Sequence, residues 1–113
     1  MQIAAAAESM ALAERAGLDL DQVAGAISSG QAASPQVVRN SRRMADGNHQ
    51  RDVVFSGRLR HKDALYGVQL AEKLGIEAPF GHAALAGLDR LLALGLGDQN
   101  ESSIIEVPRR SAR

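Results

Sequence analysis

Cysteine and tryptophan are absent from this chain of 113 residues, and aromatic side chains make up only 3% of it. Without cysteine there is neither a disulfide framework nor a thiolate metal site, which is compatible with a reducing cytoplasm. So few aromatics argue against a β-sandwich core, whereas abundant Ala, Leu and Gly suit closely packed helices. An excess of charge of either sign is missing too, because 13 Lys and Arg balance 13 Asp and Glu. A net charge of zero provides no global field to attract nucleic acid or an anionic membrane, and neither is expected as a partner. Long apolar runs are also lacking. Residues 1–7 are apolar apart from Gln2, but no basic flank precedes them and Glu8 follows, so the stretch fits neither a signal peptide nor a membrane span. What the chain does have is 45% hydrophobic side chains, enough for one all-α domain with its own core.

Helix signals divide the sequence into five main segments. The first runs from about Gln2 to Ala16, with Ile3, Ala7, Met10 and Ala11 on its packing face and Gly17 as its stop. No capping residue precedes it, so the true start of this helix is expected before Met1. Asp19, with Gln22 three residues later, opens a second helix that turns Val23, Ala26 and Ile27 inward and ends at Gly30. Ser34 followed by Pro35 opens a third, carrying Val37, Val38 and Met44 and closed by Gly47. Ser56 caps a fourth that continues to Leu74 and stops at Gly75, and Gly67 within it marks a possible close approach of a neighbour. Pro79 starts a fifth whose Phe80, Leu85, Leu88, Leu91 and Leu92 form the broadest apolar face. Gly95, Gly97 and Asp98 form a turn. The stretch from Ser102 to Val107 reads as one helical turn or a short extended piece, and residues 108–113 as a disordered tail.

The fourth segment holds the main functional signal. Leu59, Tyr66, Leu70 and Leu74 are spaced for one apolar face, and Asp63 falls where that face should carry another hydrophobe. Phe55, eight positions earlier, projects toward the same side, and Lys62 adjoins the aspartate. A carboxylate on a buried face is costly unless a cation meets it or the face opens onto a polar cavity. The plainer reading is a helix aspartate paired with Arg60 or Lys62 on a partly exposed face; Lys62 would then be a solvated lysine and Phe55 a core anchor.

The run Glu8, Leu12, Ala13, Glu14, Gly17, Leu18 and Asp19 resembles the start of the C-terminal helical domain of β-hydroxyacid dehydrogenases, among them the 3-hydroxyisobutyrate dehydrogenases. Phe55, Lys62 and Asp63, then Ala71, Leu74, Gly75 and Pro79, then Gly95, Gly97, Asp98 and Ser102, follow that family's later landmarks in order. The resemblance implies an all-α bundle over residues 1–107, like the C-terminal domain of 6-phosphogluconate dehydrogenase-like enzymes. It also implies a partner Rossmann-fold domain that binds NAD or NADP, a homodimer, and a small 3-hydroxy acid as substrate. Lys62 would be the cofactor-contacting lysine, with Phe55 and Asp63 lining the cleft. The family's catalytic lysine would precede Met1, and no Gly-x-Gly-x-x-Gly segment follows an apolar β-run, so the chain alone is not expected to bind the cofactor or transfer hydride. At the second of the family's late acidic positions stands Asn100.

Two rival readings remain. A helical association module without catalysis shares the fold. A helix-turn-helix-like DNA binder would use the arginines at 39, 42, 43, 51, 58 and 60, against which the net neutrality and the long apolar first helix weigh. His49, His61 and His82 lack the spacing of a helical zinc pair, and no metal is expected.

Overall fold

Serine, aspartate and proline set the helix starts in the computed structural model, which describes residues 1–111. Asp19 accepts hydrogen bonds from the amides of Asp21 and Gln22 and starts α2, Leu20–Ser29. Ser34 accepts from Val37 N ahead of α3, Pro35–Asp46, and Ser56 accepts from Leu59 N ahead of α4, Gly57–Lys73. Each cap supplies an acceptor to a first-turn amide that has no partner inside the helix. The first helix, α1, spans Gln2–Arg15, and α5, begun by Pro79, spans Pro79–Ala93. Gly47 terminates α3 with φ of 74°, a left-handed conformation that a side chain would oppose.

The molecule is all-helical. Helices α1, α2 and α3 pack together on one side and α4 pairs with α5 on the other. Between them runs a 3-10 turn, Glu101–Ile105, every residue of which is buried. The core joins Ile3, Ala7 and Met10 of α1 to Met44 of α3 and to Leu88 and Leu91 of α5, with Ile104 and Ile105 of the turn as the shared wedge. Burial of these side chains, at about 25 cal/mol per Å² of apolar surface, is the main force holding the two halves together.

Several expectations are corrected. In α2, Ala24 is the buried residue and Ala26 is exposed, while Val23 and Ile27 lie half-buried against the core. Phe80 belongs to no packed face of α5: it is 74% exposed, and Ala84, Leu88 and Leu91 form the buried stripe. The chain beyond Pro108 is not a tail as far as it is described. A sixth helix, α6, spans Glu106–Ser111, and Arg109 anchors it by reaching Glu14 of α1 at 2.8 and 3.0 Å. Arg109 also meets Glu106 at 2.5 Å. Residues 112 and 113 of the expected tail lie outside the described residues.

The largest correction concerns α4. Its leucine stripe faces outward: Leu59, Tyr66, Leu70 and Leu74 are each between 47 and 66% exposed. The inward face is made mostly of small residues, with Gly57 and Val68 buried and Ala64 and Ala71 half-buried beside Leu65, which lets α4 lie close to α5. A β-carbon on Gly57 would sit 2.6 Å from Leu91 Cδ2, and one on Gly81 would sit 3.3 Å from Val68 Cγ2. These two glycines, rather than Gly67, mark the close approach, since nothing lies within 4 Å of a β-carbon built on Gly67.

Candidate functional site

The entry to α4 is laced to the segment before the 3-10 turn. Gly57 N donates to Gln99 O, Arg58 N to Gly97 O, and Glu101 N to Phe55 O, at 3.0, 2.8 and 2.8 Å. Asn100 completes the seam with its side chain. Its Oδ1 accepts from the amides of Val54 and Phe55 at 3.0 and 3.3 Å, and its Nδ2 donates to Ser102 Oγ and Asn40 Oδ1 at 2.9 and 3.3 Å. Such partners offset the cost of burying a polar side chain. Gly97 keeps this approach close: a β-carbon would stand 2.6 Å from Leu92 Cδ2 and 2.8 Å from the Arg58 guanidinium, and both side chains would have to move.

Arg60 is the side chain that gathers the candidate residues. Its Nε donates to Glu101 Oε1 at 2.7 Å, its guanidinium lies 4.5 Å from the centroid of the Phe55 ring, and Nη1 stands 3.9 Å from Asp63 Oδ2. Glu101 is all but buried, at 3% side-chain exposure, and the guanidinium is the cation hydrogen-bonded to it. Helix spacing does not join Phe55 to Asp63, because Phe55 precedes the cap of α4. They meet through Arg60.

Asp63 is not buried among hydrophobes. Its side chain is 57% exposed, as the plainer reading expects, and its cation is Arg60 rather than Lys62. It nonetheless lines a hollow: an open cleft of about 540 Å³ between α4 and α5, walled by Arg60, Asp63, Gly67, Val68, Glu77 and Phe80. A second groove of about 360 Å³ adjoins it across Met1, Phe80 and Ala84 and runs along α1 past Ala4 and Glu8. Lys62 lies elsewhere. One residue along a helix rotates the side chain by about 100°, and Lys62 stands in solvent with its Nζ 5.8 Å from the Tyr66 ring. The structure thus brings together Phe55, Arg60, Asp63 and Glu101 and leaves Lys62 on the adjoining face.

The remaining polar centre was not visible in the sequence. His49, in the loop read as merely polar, is buried, and its Nδ1 lies 2.8 Å from Ser102 Oγ. Burial, the largest influence, lowers its pKa; Glu106 raises it, and Arg109 and Arg43 lower it. The ring is therefore neutral near pH 7. Asn40 and Glu101 were equally missed, since a polar residue in a surface-like stretch gives no sign of burial. Ser56 before a helix and the Asn100 position in the resemblance were the only signals leading there. The arginines of the basic patch are largely engaged within the fold. Arg43 donates to the carbonyls of Arg51 and Asp52, Arg58 pairs with Asp98, and Arg42 faces Asp21. Among the described residues no helix is long and apolar enough to cross a membrane.

Comparison with known proteins gives this geometry a context. Residues 1–108 match a family model described as NAD-binding of NADP-dependent 3-hydroxyisobutyrate dehydrogenase. No curated protein matches. Among solved structures, the 3-hydroxyisobutyrate dehydrogenase (ygbJ) from Salmonella typhimurium superposes with a TM-score of 0.87 at 28% identity. The match covers 93% of this chain and 36% of that chain, so this chain spans about a third of the length of that enzyme. The matching portion is helical, as the sequence implied. With nearly all of its length matched, the chain belongs to the family described as NAD-binding of NADP-dependent 3-hydroxyisobutyrate dehydrogenase.

Proposed function

We propose that this chain is the helical substrate and dimerisation domain of an NAD(P)-dependent 3-hydroxyacid dehydrogenase of the 3-hydroxyisobutyrate type, working in the cytoplasm with a Rossmann-fold domain as its partner. The observation that carries this reading is the family match over residues 1–108, set beside a solved dehydrogenase nearly three times as long. The cleft on α4 supports it, with the Asp63 carboxylate, the Arg60 guanidinium and the Phe80 ring along its wall.

In this reading Asp63 and Arg60 form a polar wall of the closed site, and Phe55 shapes its floor through Arg60. Lys62 fits a role toward the cofactor, because its ammonium is solvent-exposed and pairs with no carboxylate among the described residues. The nicotinamide, when bound, accepts or returns the hydride of the hydroxyl-bearing carbon. This chain's side chains hold and orient, while the general acid and base for the hydroxyl proton is supplied from outside this chain. The outward stripe of α4 is the surface assigned to a second copy, since four large apolar side chains in one row are more than a monomer ordinarily leaves in water.

Assaying the purified chain with a 3-hydroxy acid and NAD+ or NADP+, alone and with a Rossmann half added, tests the proposal. Oxidation of a 3-hydroxy acid restored only by the mixture supports it. Inertness of a mixture shown to associate would instead favour the non-catalytic association module.

A further inference from the structure

A continuous chain of hydrogen bonds runs from the His49 ring to the backbone that opens α4. Ser102 Oγ accepts from Asn100 Nδ2 at 2.9 Å and lies 2.8 Å from His49 Nδ1, the one acceptor within reach of its hydroxyl proton among the described contacts when the neutral ring is protonated on Nε2. Asn100 Oδ1 accepts the amides of Val54 and Phe55, and Asn100 N donates to His49 O at 2.7 Å. The chain works in one direction. It needs a bare Nδ1, so the ring proton sits on Nε2, which is buried and without a partner among the described residues. A second proton on the ring would aim Nδ1–H and Asn100 Nδ2–H at the same serine oxygen. The displaced hydroxyl hydrogen would then lack an acceptor, and a charged Nε2–H would remain orphaned in the interior.

We propose that His49, Ser102 and Asn100 form a proton-sensitive latch on the 53–55 segment, closed while the imidazole is neutral and released when it takes up a second proton. The charged groups around the ring do not offset the added charge. Arg43 on α3 is committed to loop carbonyls, and Arg109 on α6 is clamped to Glu14 of α1 and to Glu106. Glu106 is the one carboxylate that favours imidazolium, and it is already shared between Arg109 and Arg110. On the 3-10 turn, Glu101 is taken by Arg60. Burial and the two arginines hold the ring pKa below the ordinary value, so the open loop binds the proton at a higher pH than the closed one does. The latch is therefore at full strength above the ordinary imidazole pKa of about 6.5 and weakens as pH falls below it. If the closed ring takes up no proton, the opening constant rises about tenfold between roughly pH 7.5 and 5.5.

Amide hydrogen exchange on the full chain, corrected for the intrinsic pH dependence of exchange, reads this directly. Protection of the Val54 and Phe55 amides is expected to fall about tenfold over that range, while core amides such as those of Met10 and Leu91 keep theirs. His49→Gln should abolish the pH dependence, and the double variant H61Q/H82Q should retain it. Protection independent of pH would overturn the proposal, as would a loss shared equally by the core, or a dependence that survives in a folded His49→Gln. Should that variant not fold, the wild-type ring titration decides by NMR: a His49 that titrates at the ordinary imidazole value with no change at the Val54 amide refutes the latch, and one that titrates below it in step with that amide supports it.

Discussion

Removing the Arg60 guanidinium is expected to strand a buried charge. Glu101 has 3% side-chain exposure and meets Arg60 Nε at 2.7 Å, so Arg60→Met keeps an unbranched apolar stem near Phe55 but deprives the carboxylate of its hydrogen-bonded cation. With charge centres about 4 Å apart and an effective dielectric near 20, the pair is worth roughly 4 kcal/mol of Coulomb attraction. The Arg60 side chain is one-third exposed, so water replaces part of that interaction, and the expected loss is about 2–3 kcal/mol. Glu101→Gln should cost less, about 1 kcal/mol, because Arg60 can still turn to Asp63 and solvent. The double variant should then recover about 1.5–2 kcal/mol relative to the sum of the two single losses. Urea unfolding followed by far-UV circular dichroism is the suitable assay, since the chain has no Trp and a single Tyr. Losses that add to within about 0.5 kcal/mol would refute the claim that Arg60 compensates Glu101.

Asn100→Ala removes the acceptor of two amides and the donor of two further bonds at a fully enclosed position; it should destabilise by about 2–4 kcal/mol in the same assay. The two glycines of α4 should respond oppositely. Gly57→Ala drives a β-carbon into Leu91 and should cost about 1–3 kcal/mol, while Gly67→Ala meets nothing and should gain about 0.5–1 kcal/mol in helix propensity. Burial opposes the charged form of Glu106, but hydrogen bonds from Arg109 and Arg110 outweigh it and hold its pKa below the ordinary value. Its contribution is thus present above the ordinary carboxylate pKa of about 4.3 and lost as pH falls further, so Glu106→Gln should flatten the acid limb of a stability–pH curve. In a completed enzyme, Lys62→Ala should weaken nucleotide binding roughly tenfold, measured by fluorescence titration with NADPH; unchanged affinity would remove Lys62 from the cofactor's surroundings.

The helix plan was legible because it is written in local chemistry. Ser34 with Pro35, Asp19, Ser56 and the glycines at 17, 47 and 75 act within a turn of themselves, and each behaves as its neighbours dictate. Which face of α4 turns inward was not legible. Periodicity found the leucine row correctly but assumed that the larger hydrophobes bury first, whereas Gly57, Ala64 and Val68 bring α4 closest to α5. The polar centre was hidden for a different reason. His49, Asn100 and Glu101 come from segments about 50 residues apart, and no spacing rule links residues whose meeting depends on the tertiary fold. Of the candidate residues singled out in the sequence, Phe55 and Asp63 meet through Arg60, which the sequence offered as an ion-pair partner and a member of a basic patch, and Lys62 stands apart.

The outward row of large side chains on α4 divides that helix between two tasks. Its slender side sets how well the domain holds its own shape; its bulky side adds little to that. Substituting Leu70 or Leu74 by a polar residue should therefore leave the melting temperature almost untouched at concentrations too low for self-association, and such changes will register only in whatever comes to rest against that row.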